Sequence, residues 1–175
     1  MEVLAAFGKG HFIGASEEDV LVSQGNLAIT YGELGDRKKA LSMERDVYSG
    51  YMKLNGEEDK KTLRAALNYA SSLTNLERFE EARTLLRKTM PVARRVLGKG
   101  HDFTLTMRWI YAQSLYYDAG ATLDDLREAV TSLEELERTA RRVLGGAHPD
   151  AVGIEESLRD ARTALRARET PPSSP

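Results

Sequence analysis

Ala93-Arg94-Arg95-Val96-Leu97-Gly98 and Ala140-Arg141-Arg142-Val143-Leu144-Gly145 are the same hexamer, ARRVLG, written twice 47 residues apart. An identical hexamer in a chain of 175 residues points to an internal repeat, since repeat architectures show self-similarity at a fixed period. The residues after each copy are also related. Gly98-Lys99-Gly100-His101 (GKGH) overlaps the end of the first, Gly145-Gly146-Ala147-His148 overlaps the end of the second, and an earlier GKGH stands at Gly8 to His11. Upstream, Leu27-Ala28 with Tyr31 recurs as Tyr69-Ala70 with Leu73, then as Tyr111-Ala112 with Leu115, at steps of 42 residues. Ala40 matches Ala82 at the same step, and Ala129 comes five residues late, after what reads as an insertion at Ala121 to Asp125.

Within each unit the apolar spacing is helical. Val20, Leu21, Leu27, Ala28 and Tyr31 recur at helix-face intervals from Glu18 to Leu34 before Gly35-Asp36 interrupts. The pattern resumes with Ala40, Met43, Val47 and Tyr51 and stops at Asn55-Gly56. Each unit is therefore expected to be two amphipathic helices joined by a tight turn. The second pair is predicted over 60–75 and 79–97, the third over 102–118 and 123–144, and a last helix over 149–168 carries Ala151, Ile154, Leu158, Ala161 and Leu165 on one stripe. Ser16 with Asp19, and Thr122 with Asp125, have capping-box spacing, in which the hydroxyl and the acid answer each other's backbone N–H. Pro149 suits a first helical turn, whereas Pro91 falls inside a helical pattern, where a kink is expected.

Composition narrows the function classes. A formal net charge of -2 gives no general attraction for nucleic acid or anionic membrane. No cysteine is present, which removes disulfides, thiol nucleophiles and thiolate metal sites. No apolar run approaches the length of a membrane span, and the N-terminus lacks the pattern of a secretory leader. The default reading is a cytoplasmic protein that meets neither membrane nor nucleic acid.

GKGH fails as a phosphate loop because a P-loop needs G-x-x-x-x-G-K-[ST]. The three histidines fall once per repeat, about 10 Å apart for packed helical layers. Zinc ligands must lie about 2 Å from one ion, so no metal site is expected. Acidic pairs such as Asp124-Asp125 and Glu134-Glu135 read as solvated helix faces. No nucleophile, histidine base and orienting acid come together, so no catalytic residue and no cofactor is expected. Arg94-Arg95 and Arg141-Arg142 close second helices, where cations offset the helix dipole. The histidine-bearing segments read as turns between units.

A two-helix unit with Asn26-Leu27-Ala28, Tyr31, Gly35 and Ala40, repeated as Asn68-Tyr69-Ala70, Leu73 and Ala82, and closed by Leu144-Gly145 with His148-Pro149-Asp150, resembles the kinesin light chain type of tetratricopeptide repeat. The resemblance runs from about Phe7 to Leu165 and implies an all-α, right-handed solenoid of repeats of about 42 residues. The array is expected over 16–168, with repeats at about 16–58, 59–100 and 101–147 and a capping helix at 149–168. Residues 1–15 are expected to end a preceding repeat or to cap the array, and 169–175 to form a disordered tail. Ile110 replaces the asparagine of the other repeats, and Arg159 replaces the small residue at Ala28, Ala70 and Ala112, as suits a last helix with no successor.

The resemblance also implies that first helices line a concave groove, and that the residue before the Leu-Ala pair faces it. This marks Asn26 and Asn68, with Arg64 and Ser71 on the same helical face as Asn68. Asparagine amides offer donors and an acceptor to a peptide backbone, and Arg64 could hold a carboxylate. The third repeat adds Thr106, Trp109, Gln113 and Tyr117. Trp109 and Tyr117 have a competing reading as core residues, or as packing against the lengthened loop. The expected function is non-catalytic binding of an extended peptide or partner protein. The alternatives are an assembly module that self-associates through an end helix or the convex face, or a regulatory segment of a larger protein.

Overall fold

The computed structural model describes residues 16–170, which form seven α-helices and no strand. They are α1 (Glu17–Glu33), α2 (Arg37–Asn55), α3 (Lys60–Asn75), α4 (Phe79–Leu97), α5 (Asp102–Tyr116), α6 (Leu123–Leu144) and α7 (Pro149–Glu169). The expected preceding repeat or cap over 1–15 lies outside the described residues.

Local chemistry sets the helix ends. Ser16 Oγ accepts from the Asp19 N–H at 3.1 Å while the Asp19 carboxylate accepts from the Ser16 N–H at 3.0 Å. Thr122 and Asp125 repeat the arrangement at 3.1 and 2.8 Å. At the seams between repeats, Gly56, Gly98 and Gly145 end α2, α4 and α6 with φ of 81°, 93° and 91°, in a region costly for any residue with a Cβ. His101 and His148 then start the following helices. His101 Nδ1 accepts from the Phe103 N–H at 3.1 Å and His148 Nδ1 from the Asp150 N–H at 3.2 Å, the work that Asp59 does for α3.

Two boundaries differ from expectation. Helix α5 stops at Tyr116 rather than Asp118, because the Asp118 carboxylate turns back to accept from the Gly120 N–H at 2.9 Å and from Arg83 at 2.9 Å. Helix α7 takes in Glu169, the first residue of the expected tail, and its carboxylate meets Arg127 at 3.3 Å. Helix α4 runs through Pro91 without a break.

The helices pack as successive antiparallel neighbours, each against the next. In addition α3 touches α5 and α5 touches α7, whereas no comparable contact joins α2 to α4 or α4 to α6. From α3 onward, first helices therefore lie in contact with one another while second helices stand further apart, and α1 makes no comparable contact with α3. Small residues permit this: Ala66, Ala70 and Ala112 are fully buried, and so are Ala82 and Ala129 on the second helices. Between the layers runs an apolar core including Leu63, Leu73, Leu86, Met107, Leu115, Leu133, Leu136 and Ile154, and a separate, smaller cluster of Leu21, Val47, Tyr51 and Ala65 lies in the first repeat. Arg159, on the last helix, points to solvent.

Candidate functional site

Helix α3 shows what a first helix offers. Its buried side carries Leu63, Ala66, Ala70 and Leu73. At 100° per residue, Arg64, Asn68 and Ser71 fall within about 60° of one another on a different side. Arg64 is exposed, Asn68 and Ser71 are half-buried, and none of their side chains makes a hydrogen bond or ion pair among the described residues. Asn26, one repeat earlier on α1, is exposed and its amide is likewise unengaged. Gln113 on α5 is half-buried with its amide free. An accessible amide without an internal partner can pair with an incoming peptide bond, since it offers both donors and an acceptor.

Other residues from the third repeat are engaged internally. The Trp109 indole N–H donates to Ser157 Oγ on α7 at 2.8 Å, and its ring lies over Gly153 so closely that a Cβ there would come within 2.5 Å of Cη2. Trp109 therefore fastens α5 to α7 and its N–H is not free for a ligand. Thr106 donates its hydroxyl to the Asp102 carbonyl one turn back at 2.8 Å. Tyr117 is 52% exposed and leans on the buried Tyr116 ring with centroids 4.3 Å apart, while burial pushes the Tyr116 phenol up. Ile110 is buried. Sequence reasoning does not single out Gly153 or Ser157, the two residues that decide the fate of Trp109. The available signal is a glycine at a helix-interior position of α7, where it costs stability unless a neighbour needs the space.

No group of three or more histidine, aspartate or glutamate side chains among the described residues is arranged to hold a metal ion. None of the described helices is long and apolar enough to cross a membrane.

Family models described as tetratricopeptide repeat match residues 20–59 and 61–122, more than half of the chain between them. The chain belongs to the tetratricopeptide repeat family. Among solved structures this repeat protein is similar to the nearly identical TPR-like repeats of a putative kinesin light chain from Podosopora anserina. A form of that protein with one glutamine changed to methionine matches at 22% identity over 96% of this chain and 76% of that one, with a TM-score of 0.75. The form without that substitution matches at 21% identity over the same shares, with a TM-score of 0.72. BtubC (BKLC) from P. vanneervenii matches at 16% identity over 99% of this chain and 74% of that one, with a TM-score of 0.59. At these identities the likeness is one of fold, and the fold is an all-α solenoid of kinesin light chain type. No curated protein matches the chain. Tetratricopeptide repeats are in general protein-interaction scaffolds and typically non-catalytic, so the repeat protein is read as an interaction module.

Proposed function

We propose that the repeat protein binds an extended peptide segment of a partner protein along its first helices, within the array taken as residues 16–168. The observation that supports this is the set of polar side chains on those helices that have no partner among the described residues: Asn26, Arg64, Asn68, Ser71 and Gln113. Stacked helices hold these groups in place before the ligand arrives, so little further protein entropy is lost on binding. Amides pair with the peptide backbone, and Arg64 pairs with a carboxylate of the ligand. Tyr117 supplies a partly exposed aromatic edge at the end of α5, and Thr106 lies along the same stripe. Trp109 contributes by fixing α7 rather than by direct contact.

The test is selection from a random peptide display library, followed by affinity measurement on purified protein. Selected peptides are expected to lose about tenfold or more in affinity with Asn26→Ala/Asn68→Ala, since two amides are removed at about 1 kcal/mol each. Peptides that bind this variant as well as the parent, or a library that yields none, would show that the groove is not the binding surface.

A further inference from the structure

The open spacing of the second helices leaves a cleft of about 900 Å³ between α4 and α6, floored by α5. Six cations line it. Arg87 and Arg108 have carboxylate partners, Glu80 at 3.5 Å and Glu135 at 3.3 Å. Arg94, Lys99, Arg138 and Arg142 have no ion-pair partner among the described residues. Among the described residues the only acids lining the cleft, Glu128 and Glu135, are already bound to the Tyr111 hydroxyl at 2.8 Å and to Arg108. Burial and the nearby Arg94 hold the Arg108 guanidinium below its ordinary pKa despite Glu135.

The duplicated arginine pairs divide here. Arg95 reaches Glu58 at 2.6 Å and Arg141 reaches Glu155 at 2.7 Å and also Glu137, whereas Arg94 and Arg142 turn into the cleft unpaired. Lys99, from the GKGH seam, joins them at the end of α4. Helix-dipole compensation accounts for cations at these helix ends but not for their convergence with Arg138 and Arg108. Thr104, on the floor, is buried with its hydroxyl unpartnered. Its counterpart Thr62 shares that state one repeat earlier, so the cations are what distinguish this cleft.

The cations lie along a line rather than around a point. Arg87 and Arg94 are two turns apart on α4, about 10 Å, and Lys99 extends the strip to on the order of 15 Å. That length matches four or five extended residues at about 3.3 Å each. Met90 and Tyr111 give the strip an apolar and aromatic bed. A long nucleic acid would also meet the rest of a protein whose net charge is -2, whereas a short acidic stretch meets only the strip. On α5 the cleft residues Thr104, Arg108 and Tyr111 lie roughly 180° around the helix from Thr106, Gln113 and Tyr117. The cleft is thus a separate surface from the first-helix groove.

We propose that this cleft is a second docking site, taking an acidic, extended segment of a partner protein. The probe is a fluorescein-labelled peptide of alternating glutamate and aspartate, followed by fluorescence anisotropy at about 50 mM salt. Saturable one-to-one binding is expected. Arg94→Glu/Arg138→Glu should weaken it by at least about tenfold, because charge-assisted contacts become repulsive. Lys53→Glu/Arg166→Glu, charge reversals elsewhere, should change it by less than about twofold, since those exposed sites are screened. Asn26→Ala/Asn68→Ala should leave it unchanged, which keeps this result independent of the groove. Circular dichroism melts confirm that the reversals fold, with Arg94→Gln/Arg138→Gln as the milder pair if they do not. Equal loss in both charge-reversal pairs would mean diffuse attraction and overturn the proposal. So would tighter cleft-dependent binding of inositol hexakisphosphate or a short single-stranded oligonucleotide than of the peptide, which would make the site one for phosphates.

Discussion

Position 44 carries glutamate where the later repeats carry Leu86 and Leu133, and the residue is only 3% exposed with Oε2 lacking any hydrogen-bond partner. Burial pushes its carboxyl up from 4.5 to about 7. Because the folded-state value is raised, the group's favourable contribution is complete below about pH 4.5 and is lost as pH rises through about 7. Above that, the charged form costs the fold on the order of 3 kcal/mol. Glu44→Leu should therefore raise the thermal midpoint at pH 8 much more than at pH 5, and equal gains at both would refute the pH linkage. A second residue departs from its repeat in the opposite sense. Glu77 sits at φ 59° in the turn between α3 and α4, where the first repeat has Gly35 at φ 86°. Glu77→Gly should stabilise by about 1 kcal/mol in urea unfolding, the usual cost of left-handed backbone for a residue with a Cβ. No gain would mean that the turn relaxes that strain another way. Both positions can be found by aligning the repeats of this one chain, but their consequences cannot, since burial and φ are properties of the folded array.

For the helices as elements, repeat spacing and turn chemistry were legible because they depend on neighbours in sequence. Capping boxes at Ser16 and Thr122 form from residues three apart, and glycines end helices by their own backbone freedom. Contacts between helices were not legible, and Trp109 shows why. Its position on α5 placed it on the groove stripe, yet Ser157 and Gly153, more than 40 residues later, bring it against α7. Gly153→Ala tests that packing. Alanine adds about 1 kcal/mol of helix propensity. The new Cβ lands 2.5 Å from Cη2 and 2.8 Å from Cζ2 of a ring held by its hydrogen bond to Ser157. Overpacking of this kind costs about 1–3 kcal/mol, so with the strained hydrogen bond the net change should be destabilising. Trp109 is the single tryptophan, so its fluorescence reports directly on the site. A variant more stable than the parent, with unchanged emission, would refute the close α5–α7 contact.

For the molecule as a whole, stability passes from repeat to repeat, and the last helix covers a face that has no other neighbour among the described residues. Ending the chain after Ala147 should expose Trp109, shift its emission to longer wavelength and lower the melting midpoint by on the order of 10 °C. An unshifted melt would mean that the three pairs are self-sufficient. Arg159 shows the other side of that cap: it faces solvent where an inner first helix has a buried alanine. Local spacing was enough to mark the helix pairs, the seams at Gly98–His101 and Gly145–His148, and the return of asparagine at Asn26 and Asn68, because each recurs in register along the chain. It took the packed array to settle that His101 and His148 cap helices, that Trp109 is spent on α7, and that Arg94 and Arg95, adjacent in sequence, part company. The reason is geometric: neighbours on a helix point about 100° apart. Which of them finds a carboxylate and which a cleft depends on the distance to the next helix, which no single segment encodes.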